Sequence, residues 1–281
     1  MEIGENNIYS LSSEDLNLQN TENYHLSIEI SPSKFCYSLL NTKNLEYIFF
    51  KLIHLNKNNV EKLVRAITSQ EILKQKFSTT SVSYKNFPST IIPNTIYKDT
   101  EKEKYLDFIV GESHNTKSDI IHLTDSTIVY SVNESITSSI KQIQSEIIEK
   151  NSSTIFISQL IKQYGTLTEK SVFLYIQNQI MELVVLEKGK LIFHNYFKIS
   201  SETDMLYYTL FCFDQLQLNN DKNELYLFGN IEKGDENYSL LYDYVRNIKF
   251  GEISDSCSFN KELRKVSKHQ NFSLFSQVLC V

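Results

Sequence analysis

The sequence predicts a two-lobed α/β protein built from one β-β-β-α-β unit used twice. Three observations carry that prediction. Strand-type and helix-type periodicities follow one another in the same order in both halves of the chain. Matching positions sit 146 residues apart, as Leu26 does from Val172 and Ser31 from Gln177. The 281 residues, 41% hydrophobic and 22% charged, suffice for two cores of ordinary size.

Residues 1–22 read as a polar tail, because no apolar period is sustained there. The tail carries Glu2, Glu5, Glu14 and Asp15 and lacks a basic start or an apolar run, which argues against a secretory signal. From Tyr24 the texture changes. Leu26, Ile28 and Ile30 alternate with Ser27 and Glu29, the period of two expected of a strand. Pro32 fixes φ in the turn that follows, and residues 35–40 and 45–55 complete a three-stranded meander. Val60, Leu63, Val64 and Ile67 then recur at helical spacing over residues 58–74, with Asn58 or Asn59 as the cap. Residues 78–84 alternate again and read as the fourth strand.

The second copy repeats this order. Residues 171–176, 180–186 and 191–199 read as strands, and Gly189 suits the positive φ of the hairpin turn between the last two. A helix over residues 201–216, capped by Ser201 or Thr203, leads to a strand over 225–228. At the 146-residue offset Val60, Val64 and Ile67 match Leu206, Leu210 and Phe213, and Val82 matches Phe228. Between the copies lie helical stretches over 99–110 and 134–148 and a strand over 127–132. After the second copy a helix runs from Asn237 to Arg246, and an apolar helix occupies 272–280. These readings place a tail at 1–22, a first lobe at 23–150 and a second at 151–281.

Such a unit, occurring twice, resembles the actin-like, ribonuclease H-like superfamily of sugar kinases, heat-shock ATPases and pilus-assembly ATPases. More closely, the chain is similar to a Bacteroidota family classed as a domain of unknown function with an actin-like ATPase fold. The resemblance covers Tyr24 to the C-terminus. It is carried by Leu26-Ser-Ile-Glu-Ile-Ser31, Val172-Phe-Leu-Tyr-Ile-Gln177, Leu225-Tyr-Leu-Phe-Gly-Asn230 and His269-Gln-Asn-Phe-Ser-Leu-Phe275.

That resemblance implies two hairpin turns holding the phosphates of ATP, each with a carboxylate for Mg²⁺ and a Gly that lets backbone N–H groups approach. The first turn reads Glu29-Ile30-Ser31-Pro32, where the family pattern is Asp-x-Gly-Ser/Thr. Pro32 removes a donor, although Lys34 remains as an anion contact. The second reads Tyr175-Ile176-Gln177-Asn178, with neither carboxylate nor glycine. Gly229-Asn230 stands where a Gly-Gly turn would cradle adenosine. These seven positions, Glu29, Ser31, Lys34, Gln177, Asn178, Gly229 and Asn230, are the candidate nucleotide site, read as vestigial.

Other chemistries find less support. A two-metal nuclease needs several carboxylates on adjacent strands, whereas Glu29 and Glu182 stand on different lobes and read as solvated strand-face residues. His114, His122, Asp119 and Asp125 lack zinc spacing and read as surface polar groups. No Gly-x-Ser-x-Gly elbow occurs. Cys36, Cys212, Cys257 and Cys280 are scattered, as free thiols in a reducing, cytoplasmic compartment would be. The most apolar stretch, residues 47–55, is short and broken by Lys51, so no membrane span is expected. A formal net charge of -6 excludes a globally basic nucleic-acid binder. The one basic run, Lys261, Arg264, Lys265, Lys268 and His269, suits RNA or an acidic partner, but such runs usually just solubilise.

The expected function is therefore a non-catalytic actin-like scaffold or interaction protein with protein partners and no cofactor. The alternatives are a divergent ATPase or phosphotransferase using Glu29 and Lys34 with Mg-ATP, and an RNA-associated accessory protein.

Overall fold

In the computed structural model, which describes residues 8–14, 16–55 and 58–280, two compact units are distinguished. The first holds the chain up to Phe156 together with Ser254–Val266 and the residues from Ser273 onward. The second holds Ile157–Ile253 and Ser267–Phe272. The division thus falls six residues beyond the expected boundary at 150/151, and the C-terminal residues are shared between the units.

The first unit contains β1 (Ile8–Ser12), β2 (Tyr24–Ser31), β3 (Lys34–Asn41), β4 (Glu46–His54), α1 (Val60–Thr68), β5 (Thr79–Tyr84), β6 (Ser89–Pro93), α2 (Lys102–Val110), β7 (Thr116–Ile121), β8 (Ser126–Ser131), α3 (Glu134–Ile143) and β9 (Ile148–Asn151). Its main sheet runs β1-β4-β3-β2-β5-β9, while β6, β8 and β7 form a small separate sheet beside α2. Helix α4 (Ser152–Tyr164) leads into the second unit. There β10 (Ser171–Gln177), β11 (Ile180–Glu187), β12 (Lys190–Lys198), α5 (Glu202–Gln215), β13 (Glu224–Gly229), α6 (Glu236–Tyr242) and β14 (Asn247–Phe250) build a sheet in the order β12-β11-β10-β13-β14. The chain then adds β15 (Ser258–Phe259), parallel to β4, and the short α7 (Phe272–Ser276).

The two sheets match strand for strand. In each, two antiparallel pairings are followed by two parallel ones, so β4-β3-β2-β5-β9 corresponds to β12-β11-β10-β13-β14. The offset of 146 holds through the first hairpin, where Ser31 pairs Lys34 and Gln177 pairs Ile180. It also holds through the crossover helix, whose buried Leu63, Ala66 and Ile67 match buried Thr209, Cys212 and Phe213. It fails by one residue at the next strand. Ile28 lies beside Val82, but its counterpart Leu174 lies beside Leu227, so Val82 corresponds to Leu227 and not to Phe228. Both faces of these strands are buried, so the hydrophobic pattern does not register the slip.

Caps formed as the residue types dictate. Asn59 accepts from the Lys62 N–H at 2.9 Å, and Ser201 from the Asp204 N–H at 3.1 Å. Several boundaries differ from expectation. The tail contains β1, an exposed edge strand that pairs with β4; residues 1–7 and 15 lie outside the described residues. The helix expected to reach Lys74 stops at Thr68 and resumes as a 3₁₀ turn over Glu71–Lys74. The one expected to reach Ile148 stops at Ile143, since residues 148–151 are drawn off to pair with β5. The helix expected through Arg246 ends at Tyr242, and residues 247–250 become β14.

A second departure concerns sidedness. All eight residues of β2 are buried, so the polar set His25, Ser27, Glu29 and Ser31 faces inward as fully as Leu26, Ile28 and Ile30. The C-terminal segment covers this polar face. Gln277 Nε2 donates to the Ile28 carbonyl (3.0 Å) and to Ser83 Oγ (2.8 Å), while its Oε1 accepts from Ser81 Oγ (2.7 Å). Because the Ser81 proton goes to Gln277, His25 Nε2 is the donor in its 2.9 Å contact with Ser81, and Nδ1 accepts from Thr79 Oγ1 at 2.6 Å.

Burial lowers the His25 pKa from 6.5 to about 4. The unfolded chain therefore takes up a proton between pH 6.5 and 4 that the folded chain refuses, and stability falls as pH falls through that window. The loss amounts to about 3 kcal/mol once pH reaches the folded value. Urea midpoints measured from pH 7 to pH 4 check this, and His25→Gln should flatten the slope.

Candidate functional site

The first candidate turn is a two-residue hairpin, Pro32-Ser33, between paired Ser31 and Lys34. Its polar groups serve the turn itself. Ser31 Oγ donates to the Lys34 carbonyl at 3.0 Å, and the Ser33 carbonyl accepts from the Leu55 N–H at 2.8 Å. Pro32 has no N–H to offer.

Glu29 stands two residues before the turn, opposite Cys36 and beside Ser83. It is 1% exposed, and neither carboxylate oxygen has a hydrogen-bond partner among the described residues. The expected solvated strand-face carboxylate is thus an interior one, placed there because β2 has covers on both faces. Lys34 and Lys85 are buried beside it, and Lys85 Nζ donates to Ser273 Oγ at 3.4 Å. Burial raises the Cys36 thiol to about 12, with Glu29 adding to the shift and the two lysines opposing it, so Cys36 is no thiolate nucleophile.

The second turn, Asn178-Gln179, places Asn178 at φ 54°. Gln177 is buried, and its carboxamide has no partner among the described residues. Asn178 and Asn230 do come together, lining a cavity of about 180 Å³ with Gln179, Ser201, Glu202 and Asn237. Small-molecule sites usually offer about 300–1,000 Å³. The start of α5 that faces this cavity is already capped, since Ser200 N donates to Asp204 Oδ2 at 2.7 Å and Ser201 Oγ takes the Asp204 N–H.

Gly229 is required by the chain's own packing. At φ +81° a Cβ would sit 1.9 Å from the Ile176 carbonyl oxygen. Its N–H donates to the His269 carbonyl (3.0 Å), and that of Asn230 donates to the Ile176 carbonyl (2.6 Å). An adenosine cradle needs such donors free; here both are engaged.

The remaining candidates disperse. Asp119 is buried rather than superficial, because Asn151 N (2.5 Å) and Thr154 Oγ1 (3.0 Å) at the start of α4 both donate to it. Burial nonetheless holds its pKa above the usual carboxylate value, against these bonds. His114, His122 and Asp125 are exposed, and no group of three metal-ligating side chains occurs among the described residues. The basic run is divided between the units at Val266/Ser267. Within it Lys265 pairs with Glu262 (3.5 Å), Arg264 Nε donates to the Phe259 carbonyl (3.4 Å), and His269 Nε2 donates to the Ile231 carbonyl (2.8 Å).

Sequence reading missed one buried ionisable pair. Glu182 Oε1 and His194 Nε2 lie 3.0 Å apart on β11 and β12, with side chains 5% and 3% exposed. Glu182 was expected to be solvated; eleven intervening residues conceal its partner.

Comparisons with known proteins agree with this architecture. A family model described as "Protein of unknown function (DUF3822)" matches residues 13–248. A Bacteroides thetaiotaomicron protein of unknown function with an actin-like ATPase fold is 17% identical, with a TM-score of 0.79 over 95% of this chain and 99% of that one. A chain from a PilM-PilN type IV pilus biogenesis complex is 12% identical, with a TM-score of 0.60 over 91% and 96%. No curated protein matches the sequence. The fold is the actin-like one. Among the described residues no helix is long and apolar enough to cross a membrane.

Proposed function

This chain belongs to the DUF3822 family, and from that premise we propose that it is an actin-like interaction protein that has lost phosphoryl-transfer chemistry. One observation carries the reading. The carboxylate that would organise Mg²⁺, Glu29, is 1% exposed beneath the C-terminal segment, and Pro32 follows where the phosphate turn needs a donor. The second turn adds no carboxylate, and the Gly229 and Asn230 N–H groups bond within the chain. What persists is a fold, which by itself assigns no activity.

A protein partner fits this better than RNA. Lys261, Arg264, Lys265 and Lys268 do not lie in one unit, and Arg264 and Lys265 have intramolecular partners. The PilM-PilN type IV pilus biogenesis complex offers one case of this fold within a protein assembly.

A thermal-shift titration with Mg-ATP tests the reading. A ligand at a hundred times its Kd stabilises the folded state by about 2.7 kcal/mol, which raises Tm by about 5 °C or more. No shift at millimolar Mg-ATP is expected. A rise of that size, abolished by Glu29→Ala, would instead show nucleotide binding at Glu29 and overturn the reading; phosphate release would then separate an ATPase from a binder.

A further inference from the structure

The inward polar face of β2 and β3, with α7 against it, gathers five buried polar atoms with no hydrogen-bond partner among the described residues. They are Ser27 Oγ, both Glu29 carboxylate oxygens, Ser38 Oγ and Ser276 Oγ. Register brings the first four together. Ser27 stands directly opposite Ser38, and Glu29 stands opposite Cys36 one step along the same face. Ser276 of α7 adjoins Gln277, whose amide reaches the Ile28 carbonyl and Ser83, the residue beside Glu29. The atoms therefore line one seam between the strands and the C-terminal segment.

Native chains satisfy nearly all such groups, and the groups themselves select what satisfies them. A carboxylate only accepts, whereas each serine hydroxyl both donates and accepts. A cation would meet the charges of Lys34 and Lys85, which act on Cys36 together with Glu29. An anion would meet Glu29. Water donates to the carboxylate, exchanges bonds with the hydroxyls and brings no charge. We propose that this seam binds a small cluster of ordered internal water that bridges Glu29, Ser27 and Ser38 to Ser276 and so fastens the C-terminal segment to the sheet. The second unit carries aromatic rings at the matching positions. There Phe173 and Tyr175, the counterparts of Ser27 and Glu29, stack on Tyr226 and Phe228 at 5.1 and 6.2 Å.

Two measurements on the full chain without nucleotide test this site. A crystal structure resolving ordered solvent should place waters within hydrogen-bond distance of Glu29 and the three serines; a dry seam, or a metal with its coordination distances, overturns the assignment. The sign of a Tm change gives the second readout. Removing hydroxyls that bond water lowers stability, whereas removing bare buried hydroxyls raises it. The Ser27→Ala/Ser38→Ala double variant should lose about 3 °C or more, and an unchanged or raised Tm overturns the site. The assignment rests on reading Glu29 as a carboxylate without metal. Neither measurement contains Mg-ATP, so a dry seam would leave the nucleotide experiment untouched, and ATP binding would leave the solvent peaks to be judged separately.

Discussion

Phe275→Ala is expected to destabilise the first unit by about 3–5 kcal/mol, the range for removing a fully buried aromatic ring. The ring is inaccessible to solvent and sits in an aromatic box of Tyr47, Phe50 and Phe259, at centroid distances of 4.8, 5.7 and 4.9 Å. The Tyr47 hydroxyl donates to the Phe275 carbonyl at 2.5 Å, so the box fixes backbone as well as side chain. Two residues on, Gln277 places its three hydrogen bonds on the polar face of β2 and β5. Loss of the ring should therefore loosen the cover over Glu29 and expose β2 and β5 amides to hydrogen exchange. Phe108→Ala is the control. That ring is 92% exposed at the end of α2, and its removal should change stability by no more than about 0.5 kcal/mol. Urea midpoints compare the two, and equal effects would refute the anchoring role of Phe275.

The sequence revealed the repeat because hydrophobic period and element order are local properties. It did not reveal covers. Alternation of Leu26, Ile28 and Ile30 with Ser27 and Glu29 announces a strand, yet the usual corollary that the polar set meets water fails here. The cover is supplied by residues 273–277, some 250 positions away, and nothing near Gln277 advertises three hydrogen bonds. The edge strands β1 and β14 were invisible for a related reason. Ile-Tyr-Ser-Leu-Ser and Asn-Ile-Lys-Phe become strands through the ladder a neighbour offers, not through a pattern of their own.

The candidate site was legible to a different degree. Its defects, Pro32 in one turn and Gln177-Asn178 in the other, lie in the letters of the sequence. The use of Gly229 does not. A glycine at a strand end fits a phosphate-type cradle and a tight backbone crossing equally well; only the 2.6 Å bond from Asn230 N to the Ile176 carbonyl, and the clash a Cβ would make there, favour the crossing.

His194→Ala should be about as damaging as loss of Phe275, at about 3–5 kcal/mol, because it strands Glu182 in the interior without its partner. Glu182 lies between Tyr175 and Tyr196 on neighbouring strands, on the face of β11 opposite the apolar cluster of Leu183 and Val185. Deletion of the imidazole removes the partner that lies 3.0 Å from the Glu182 carboxylate, while the side chain stays 5% exposed. Replacing both members by apolar residues of similar volume, as in Glu182→Leu/His194→Phe, removes the charge together with its partner and should recover most of the loss. Glu182→Leu, His194→Phe and their double variant form a cycle whose coupling is then large and favourable to the double. Additive losses in urea denaturation, with the double variant the least stable of the three, would show that each side chain contributes through packing alone and that the 3.0 Å contact carries no charge interaction of consequence.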